Sequence, residues 1–411
     1  MTDLFKADPS WIAGMGVATE NIGSNTGDIA SFVDQHCPVA PEGFGGAILD
    51  PLTTPFRIAA DRTRDRFRNI SDVTKNTGDE LNRAAWLYHE QDRQSYEALN
   101  RATTDLVTGQ PVDVDPNREN LGLVADYPAP VALNVAAPNL DPPSAAPPEI
   151  ADLIAEASGA VGDVNEAIKN VTRMAGNEVN VLEKALTPIT ANWNELRRIG
   201  ECYKVAGNAM EQSGNDLEAA LGQLGPHWDG KAAISFEDWA RRQSEALKWE
   251  GPVGRIISDI LTEVANEIRN GVRRVCELLR DFVASFVDFR STKAVFKQLV
   301  KKIPGIGTAV EIFNLAKTIW EVVDLATGIV EKITDLRNRV MEFLEFIADP
   351  FVTAQGWVEE KLEPFTSRVE DAAAKAAQAN DVRKIADVND TRERPKEAFE
   401  VGSGAQPWEN G

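Results

Sequence analysis

The 411-residue sequence predicts an all-α protein, and three features of the sequence support this prediction. Apolar residues recur at spacings of three and four over long stretches, which is the period of a helix face. Proline and glycine are concentrated in a few short segments that punctuate these stretches. The one stretch with alternating apolar residues, 121–135, carries prolines that argue against a strand.

Composition restricts the class of protein. The formal net charge is −21, from 43 basic and 64 acidic residues, which argues against a nucleic-acid binder because phosphates require a basic face. The same charge disfavours purely electrostatic docking to anionic membranes. Cys37, Cys202 and Cys276 are far apart and form no C-x-x-C pair, so we expect buried thiols, with a spatial pairing of two of them left open.

Residues 1–106 are predicted to form a helical hairpin. Asp8-Pro9 is typical of a helix start, although several glycines weaken the first helix. A turn rich in proline and glycine follows from Pro38 to Gly46. The second helix has the clearer apolar face, with Phe67, Ile70, Thr74, Thr77, Leu81, Ala84 and Tyr88 at helical spacing.

Residues 107–148 are rich in proline and are predicted to be an extended linker between domains. Residues 149–250 are predicted to be a second helical hairpin. Its first part carries an apolar stripe from Ile150 to Val171, and Pro188 is expected to kink or divide it. A further helix leads from Trp193 to Leu221, and the return helix is expected to end near Gly251-Pro252.

Residues 253–364 are the most apolar part of the chain. They predict two amphipathic helices joined by a hinge at residues 304–307, and no apolar run reaches the ~18 residues of a membrane span. We interpret them as a helical domain of the bundle or an oligomer interface; the alternative is a membrane-active element in residues 253–345. Residues 365–411 predict a polar tail, with a short helix over 371–380 and disorder from about Asn389.

The sequence contains no pattern typical of an enzyme. His36, His89 and His227 are isolated, and no nucleophile, phosphate-binding or dinucleotide motif is present. We therefore predict a non-enzymatic protein with no catalytic residues, no metal site and no cofactor. The N-terminus lacks a charged segment followed by an apolar run, so a Sec or Tat signal peptide is not expected.

The most informative motif is W-x-G-x-A-A-x-x-F over Trp228–Phe236. Gly225, Pro226 and Gly230 interrupt the helical pattern and indicate a tight turn between two helices. A tryptophan at such a turn can cover the open end of a hairpin. This segment resembles the turn signature of the WXG family of type VII (ESX) secretion substrates, helical hairpins exported by actinobacteria and other Gram-positive bacteria.

A second motif, Y-x-x-x-D, spans Tyr88 and Asp92 near the end of the first hairpin. Residues at i and i+4 share a helix face, although Tyr88 also fits the core stripe and Asp92 fits a solvated surface. In the family that the chain resembles, this motif at this place is the general secretion signal. The first hairpin's own turn reads Phe44-Gly45-Gly46, which departs from W-x-G by having phenylalanine in place of tryptophan.

The resemblance implies a particular assembly. The chain is similar to secreted proteins that fuse PE-like and PPE-like halves, so we expect two antiparallel hairpins packed as a four-helix bundle pseudo-dimer. Tyr88 and Asp92 would then lie near Trp228 and Gly230 as a bipartite signal for the secretion ATPase. A secretion chaperone and a second copy of the chain are further expected partners, and the expected location is outside the cell or in its envelope. The alternative function is a membrane-acting effector that uses residues 253–345.

Overall fold

The computed structural model describes residues 6–102, 129–144, 191–284, 309–350 and 372–400. The predicted all-α fold is confirmed, since these ranges contain helices and no β-strand. Two short 3-10 turns, Asp50–Leu52 and Gly225–His227, precede the second and fourth helices. The helices are α1 Pro9–His36, α2 Thr53–Ala102, α3 Trp193–Leu224, α4 Lys231–Ala284, α5 Ala309–Ala348, α6 Ala372–Ala386 and α7 Asn389–Arg392.

Helix α1 begins where Asp8-Pro9 predicts it. The Asp8 carboxylate accepts a hydrogen bond from the Ser10 N–H at 3.1 Å, which caps the first turn. The glycines that weaken α1 in isolation serve its packing. A Cβ atom added at Gly16 would lie 2.9 Å from the carbonyl oxygen of Gly78, so only glycine lets α1 approach α2 this closely. Tertiary contact thus offsets the low helix propensity of α1.

Helix α2 buries the face that its sequence predicts. All seven members of its apolar stripe are buried, from Phe67 through Tyr88. Thr74, one of its two polar members, is satisfied within the core. Its hydroxyl donates to the carbonyl of Ile70 at 2.7 Å and accepts from the Gln243 side chain at 2.8 Å. This bond joins α2 to α4, so the part of the stripe around Thr74 contacts the second hairpin.

Helix α4 runs without a break through Gly251-Pro252, so the expected end of the return helix there is wrong. An internal proline removes one helical hydrogen bond and costs about 3 kcal/mol in an exposed helix. Here the residues on either side are buried, and the close α3–α4 contact continues past the proline: a Cβ at Gly207 would lie 2.5 Å from the Glu250 carbonyl oxygen and 3.2 Å from the Cα of Gly254. Burial on both sides of Pro252 keeps the helix continuous.

The two hairpins also meet at the far end of the bundle from Trp228. The Asn192 N–H, just before α3, donates to the carbonyl of Phe44 at 2.6 Å. The Arg198 guanidinium donates to the carbonyls of His36 and Pro38 at 2.6 and 2.9 Å. The turn of the first hairpin therefore lies beside the start of α3, as expected for antiparallel hairpins.

The described part of the proline-rich linker, residues 129–144, is extended and lies on the helices. The Val131 N–H donates to the Ser10 carbonyl at 3.0 Å. The Ala136 carbonyl accepts from the Asn25 side chain at 2.8 Å, and its N–H donates to Asp216 at 2.9 Å. This segment thus bridges α1 and α3. The predicted stripe of 150–171, the break at Pro188 and the hinge at 304–307 lie outside the described residues.

Helix α5 packs on α4 and α2, which places it within the bundle. Its Phe346 ring lies 6.2 Å from that of Trp249. Arg337 donates to the carbonyl of Ile48 at 3.2 Å, and the Ile347 carbonyl accepts from Arg66 at 3.0 Å. The predicted boundary at residue 253 falls inside α4. In the part of the chain that the structure describes, no helix is both long and apolar enough to span a membrane.

The expected disorder from about Asn389 is wrong for residues 389–400. Helix α7 and the residues after it pack on the bundle, and Val388 and Phe399 are buried. The preceding α6 is held to α4 by Arg255, which forms two hydrogen bonds with Asp381, at 2.7 and 2.9 Å. The tail's composition is polar, and a few apolar residues with complementary positions on α2 and α4 are enough to order it.

Candidate functional site

The W-x-G turn has the geometry that its glycine implies. Helix α3 ends at Leu224, the backbone is extended at Trp228, and α4 begins at Lys231. Gly230 has a φ of 94°, a left-handed conformation that glycine adopts without steric cost. Its carbonyl accepts from the Ile234 N–H at 3.1 Å, which closes the first turn of α4. The structure thus has a turn between α3 and α4 at Trp228 and Gly230, where the sequence predicts it.

Trp228 covers the end of the bundle and contacts the first hairpin. Its side chain is buried, and its ring centroid lies 5.7 Å from that of Phe236. The ring of Tyr88 meets it edge to face, with centroids 6.3 Å apart and planes at 78°. The indole Nε1–H donates to the Tyr88 hydroxyl at 3.4 Å, a long hydrogen bond. The structure therefore brings Tyr88 and Trp228, which are 140 residues apart, into direct contact.

Tyr88 belongs to the core and to the candidate site at once. Burial raises the pKa of its phenol, while the hydrogen bond from Trp228 acts in the opposite direction and nearby Asp229 raises it further. The hydroxyl consequently stays protonated at neutral pH and accepts the indole N–H. The side chain of Asp92 lies outside the described part of the structure, so its place beside Tyr88 stays a prediction.

Residues before α1 clamp the turn, a feature that the sequence analysis missed. Lys6 and Asp229 exchange two hydrogen bonds: the Lys6 N–H donates to the Asp229 carboxylate at 2.6 Å, and the Asp229 N–H to the Lys6 carbonyl at 2.9 Å. The Asp8 N–H donates to the His227 carbonyl at 2.9 Å. The chain on both sides of Trp228 is therefore paired with the segment before α1. No local pattern in the sequence indicates a pairing across some 220 positions.

The cysteines offer no reactive centre. All three are buried and free of disulfides. Burial raises the pKa of Cys37 and, to about 11, the pKa values of Cys202 and Cys276. A thiolate, the reactive form, is thus disfavoured at each position. Across the described ranges, no group of three or more His, Cys, Asp or Glu side chains is arranged to hold a metal ion.

The C-terminal residues lie against the same aromatic cluster. The Phe399 ring meets that of Phe236 at 5.4 Å, and its N–H donates to the Thr77 hydroxyl at 2.9 Å. The Trp239 indole donates to the carbonyl of Glu397 at 3.2 Å. Four aromatic rings therefore form a row, Tyr88, Trp228, Phe236 and Phe399. The sequence analysis missed Phe399, and the signal that could have indicated its role is an aromatic residue in an otherwise polar segment.

Asp390 in α7 predicts a pH-dependent stability. Burial raises the pKa of Asp390 from 3.8 to about 6. The negative charges of Asp387, Glu245 and Glu393 act in the same direction, and the positive charge of Lys248 acts against them. The folded protein therefore binds this proton more tightly than the unfolded chain, and this group makes the fold more stable as pH falls from about 6 to about 4. Asp390→Asn is expected to remove that dependence. At pH 7 the substitution should raise the free energy of unfolding by on the order of 1 kcal/mol, allowing for partial exposure of the carboxylate.

Urea denaturation at several pH values between 4 and 7 checks the Asp390 prediction. Asp79→Asn is the matched control, because it removes an exposed carboxylate from α2. The assignment would be contradicted if the unfolding free energy changed between pH 7 and pH 4.5 by the same amount in Asp390→Asn as in the unaltered protein.

Comparison with known proteins adds no assignment. No family model matches the chain, and no curated protein or solved structure is significantly similar to it. The functional interpretation therefore depends on the two motifs and on the contact between their aromatic residues.

Proposed function

We propose that the protein is a non-enzymatic substrate of a type VII secretion system that acts through protein–protein interaction. Its export signal would be composite, with Tyr88 and Asp92 from the first hairpin and the Trp228–Gly230 turn from the second. The secretion ATPase is the proposed reader of this signal, with a chaperone and a second copy of the chain as further partners. The proposed location is outside the cell or in its envelope.

The contact between Tyr88 and Trp228 is the observation that supports this proposal. The two residues come from the two motifs that resemble the family's signal, and they lie on different hairpins. A chance W-x-G turn has no reason to meet a chance Y-x-x-x-D helix, whereas a fused pair of hairpins requires this meeting. The edge-to-face geometry fixes the part of α2 around Tyr88 relative to the W-x-G turn.

Burial of Tyr88 and Trp228 indicates that the residues of the two motifs have different roles. Tyr88 and Trp228 are both almost fully buried, so they set the arrangement and present little surface to a partner. The proposed contact for a partner is therefore the carboxylate of Asp92, four residues after Tyr88 in the motif, together with the edge of the turn. We therefore assign Asp92 the contact with the secretion ATPase, and Tyr88 and Trp228 the positioning of that contact.

Substitution of Asp92 tests the proposed export function. Asp92→Asn is expected to lower the fraction of protein in the culture supernatant by roughly tenfold, because a charge-assisted hydrogen bond is worth about 1.5–3 kcal/mol. Tyr88→Ala is expected to reduce export at least as much, and Tyr88→Phe, which keeps the ring, to reduce it less. The measurement is immunoblotting of supernatant against cell lysate in a host with the matching secretion system.

Asp79→Asn is the matched control, since it removes an exposed carboxylate from the same helix outside the motif. It should be exported like the unaltered protein. Circular dichroism of each purified variant separates loss of export from loss of folding. Normal export of both Asp92→Asn and Tyr88→Ala would overturn the proposal.

A further inference from the structure

A small cavity lies inside the bundle, between the first hairpin and the second. Its volume open to the centre of a water molecule is about 10 Å³. Thr63 and Arg66 line it from α2, Tyr203 lines it from α3, and Glu250 and Ile347 line it from α4 and α5. Each of these five residues is at most 6% exposed. The cavity is therefore surrounded by buried side chains, and several of them are polar.

Two hydroxyl groups at this cavity have no partner in the part of the protein that the structure describes. They belong to Thr63 and Tyr203, and each of these side chains is 3% exposed. A buried hydroxyl without a partner carries the full penalty of its lost hydration, so nearly all such groups in native proteins bond to protein or to an ordered water. Burial raises the pKa of the Tyr203 phenol well above its ordinary value of 10. The phenol therefore keeps its proton and acts as a donor.

The ion pair beside the cavity supplies a third polar group. The Arg66 guanidinium donates to the two carboxylate oxygens of Glu250 at 2.7 and 2.9 Å and to the Ile347 carbonyl at 3.0 Å. Each carboxylate oxygen has two lone pairs, so Glu250 can still accept from another donor. The cavity wall thus offers a phenol donor, a threonine hydroxyl and a carboxylate acceptor. Three hydrogen bonds are the usual number for a buried water.

We propose that this cavity is a binding site for one structural water molecule, which joins the Thr63 hydroxyl of the first hairpin to the Tyr203 hydroxyl of the second. The water accepts a hydrogen bond from Tyr203 and donates to Thr63 and to the Glu250 carboxylate. The volume suits one water and no larger ligand. Because the water is neutral, it adds a hydrogen bond to the carboxylate and does not replace the charge of Arg66. This inference holds whether or not the chain is exported.

Tyr203→Phe tests the site through the sign of its effect on stability. With a bound water, the substitution removes a hydrogen bond between the hairpins, so the unfolding equilibrium constant is expected to rise roughly threefold to tenfold. Thr63→Val, which keeps the branched shape, is expected to act in the same direction. Urea denaturation of the full-length variants provides the measurement. A Tyr203→Phe protein that is as stable as the unaltered protein, or more stable, would overturn the proposal, because removal of an unpartnered hydroxyl costs nothing.

The double variant tests whether one water serves both hydroxyls. When a single water bridges them, the second substitution costs less than the first, so the combined effect should be smaller than the product of the two by roughly threefold. Thr26→Val is the matched control for Thr63→Val. Thr26 is also buried, but its hydroxyl donates to the Ile22 carbonyl of its own helix at 2.9 Å. Its effect should multiply independently with that of Tyr203→Phe. Equal independence for Thr63→Val would contradict a shared water.

A high-resolution crystal structure of the full-length protein observes the site directly. An ordered water within about 3.2 Å of both the Thr63 and the Tyr203 hydroxyl oxygens is expected. In Tyr203→Phe, this water should be lost or show a clearly weaker density. The proposal is supported by that water together with the coupled stability effects. It is overturned if the density between the two hydroxyls contains no water.

Discussion

Glu250→Ala is expected to lower the free energy of unfolding by about 3–5 kcal/mol, because it leaves the Arg66 guanidinium buried without its counter-charge. The Glu250 carboxylate accepts two hydrogen bonds from that guanidinium, at 2.7 and 2.9 Å. Both side chains are at most 5% exposed, so water cannot replace the lost partner. Arg66 also lies 5.9 Å from the Trp249 ring, and it donates to the Ile347 carbonyl of α5. One residue thus joins α2, α4 and α5.

Urea denaturation followed by circular dichroism measures the effect, with two comparisons. Glu237→Ala removes the acidic partner of an exposed pair with Arg241 on the same helix and should cost at most about 0.5 kcal/mol. The double variant Arg66→Met with Glu250→Leu should recover most of the loss, since apolar side chains of similar size avoid the buried charge. A loss in Glu250→Ala no larger than that in Glu237→Ala would contradict the assigned role of the pair.

Trp228→Ala is the second substitution with a large expected effect, a loss of about 3–5 kcal/mol in unfolding free energy. The indole fills the space between the ends of the two hairpins, where it contacts Tyr88 and Phe236. Its removal leaves a cavity, because other contacts between α2 and α4, such as the bond from Gln243 to Thr74, fix the spacing of the two helices. It also takes away the donor to the Tyr88 hydroxyl.

Two variants separate the contributions of Trp228. Trp228→Phe keeps an aromatic ring and loses the N–H, so it should cost less, about 1–2 kcal/mol. Ile234→Ala is the control for a large apolar residue nearby in sequence, because its side chain is 68% exposed and should change stability by at most about 0.5 kcal/mol. Denaturation midpoints of the three variants provide the test. Equal losses in Trp228→Ala and Ile234→Ala would be incompatible with a buried role for the indole.

Helical periodicity predicted much of the fold because its signals are local. The stripe from Phe67 to Tyr88 identifies the buried face of α2, and every member of it is buried. Asp8-Pro9 marks the start of α1, and Gly230 marks the turn before α4. In each case the physical cause acts within one or two helical turns: amphipathic spacing, a capping side chain, or a positive φ.

Features that depend on distant contacts were predicted poorly. Pro252 is a helix breaker by local propensity, but α4 continues through it because both sides of the proline are buried. Residues 389–400 have the composition of a disordered tail, and their order comes from sites on α2 and α4 that bind Phe399. Local propensity is overridden when tertiary burial stabilises the segment by more than the propensity costs.

The amino-acid sequence was sufficient to establish an all-helical chain, the turn at Trp228 and the position of Tyr88 at one end of a helix face. The tertiary structure alone established that these two rings touch, that Glu250 meets Arg66 and that Phe399 closes the aromatic row. The physical reason is the range of the interactions. Helix periodicity and turn geometry are written in neighbouring residues, whereas these contacts join residues about 140 to 180 positions apart and arise only when the helices have packed.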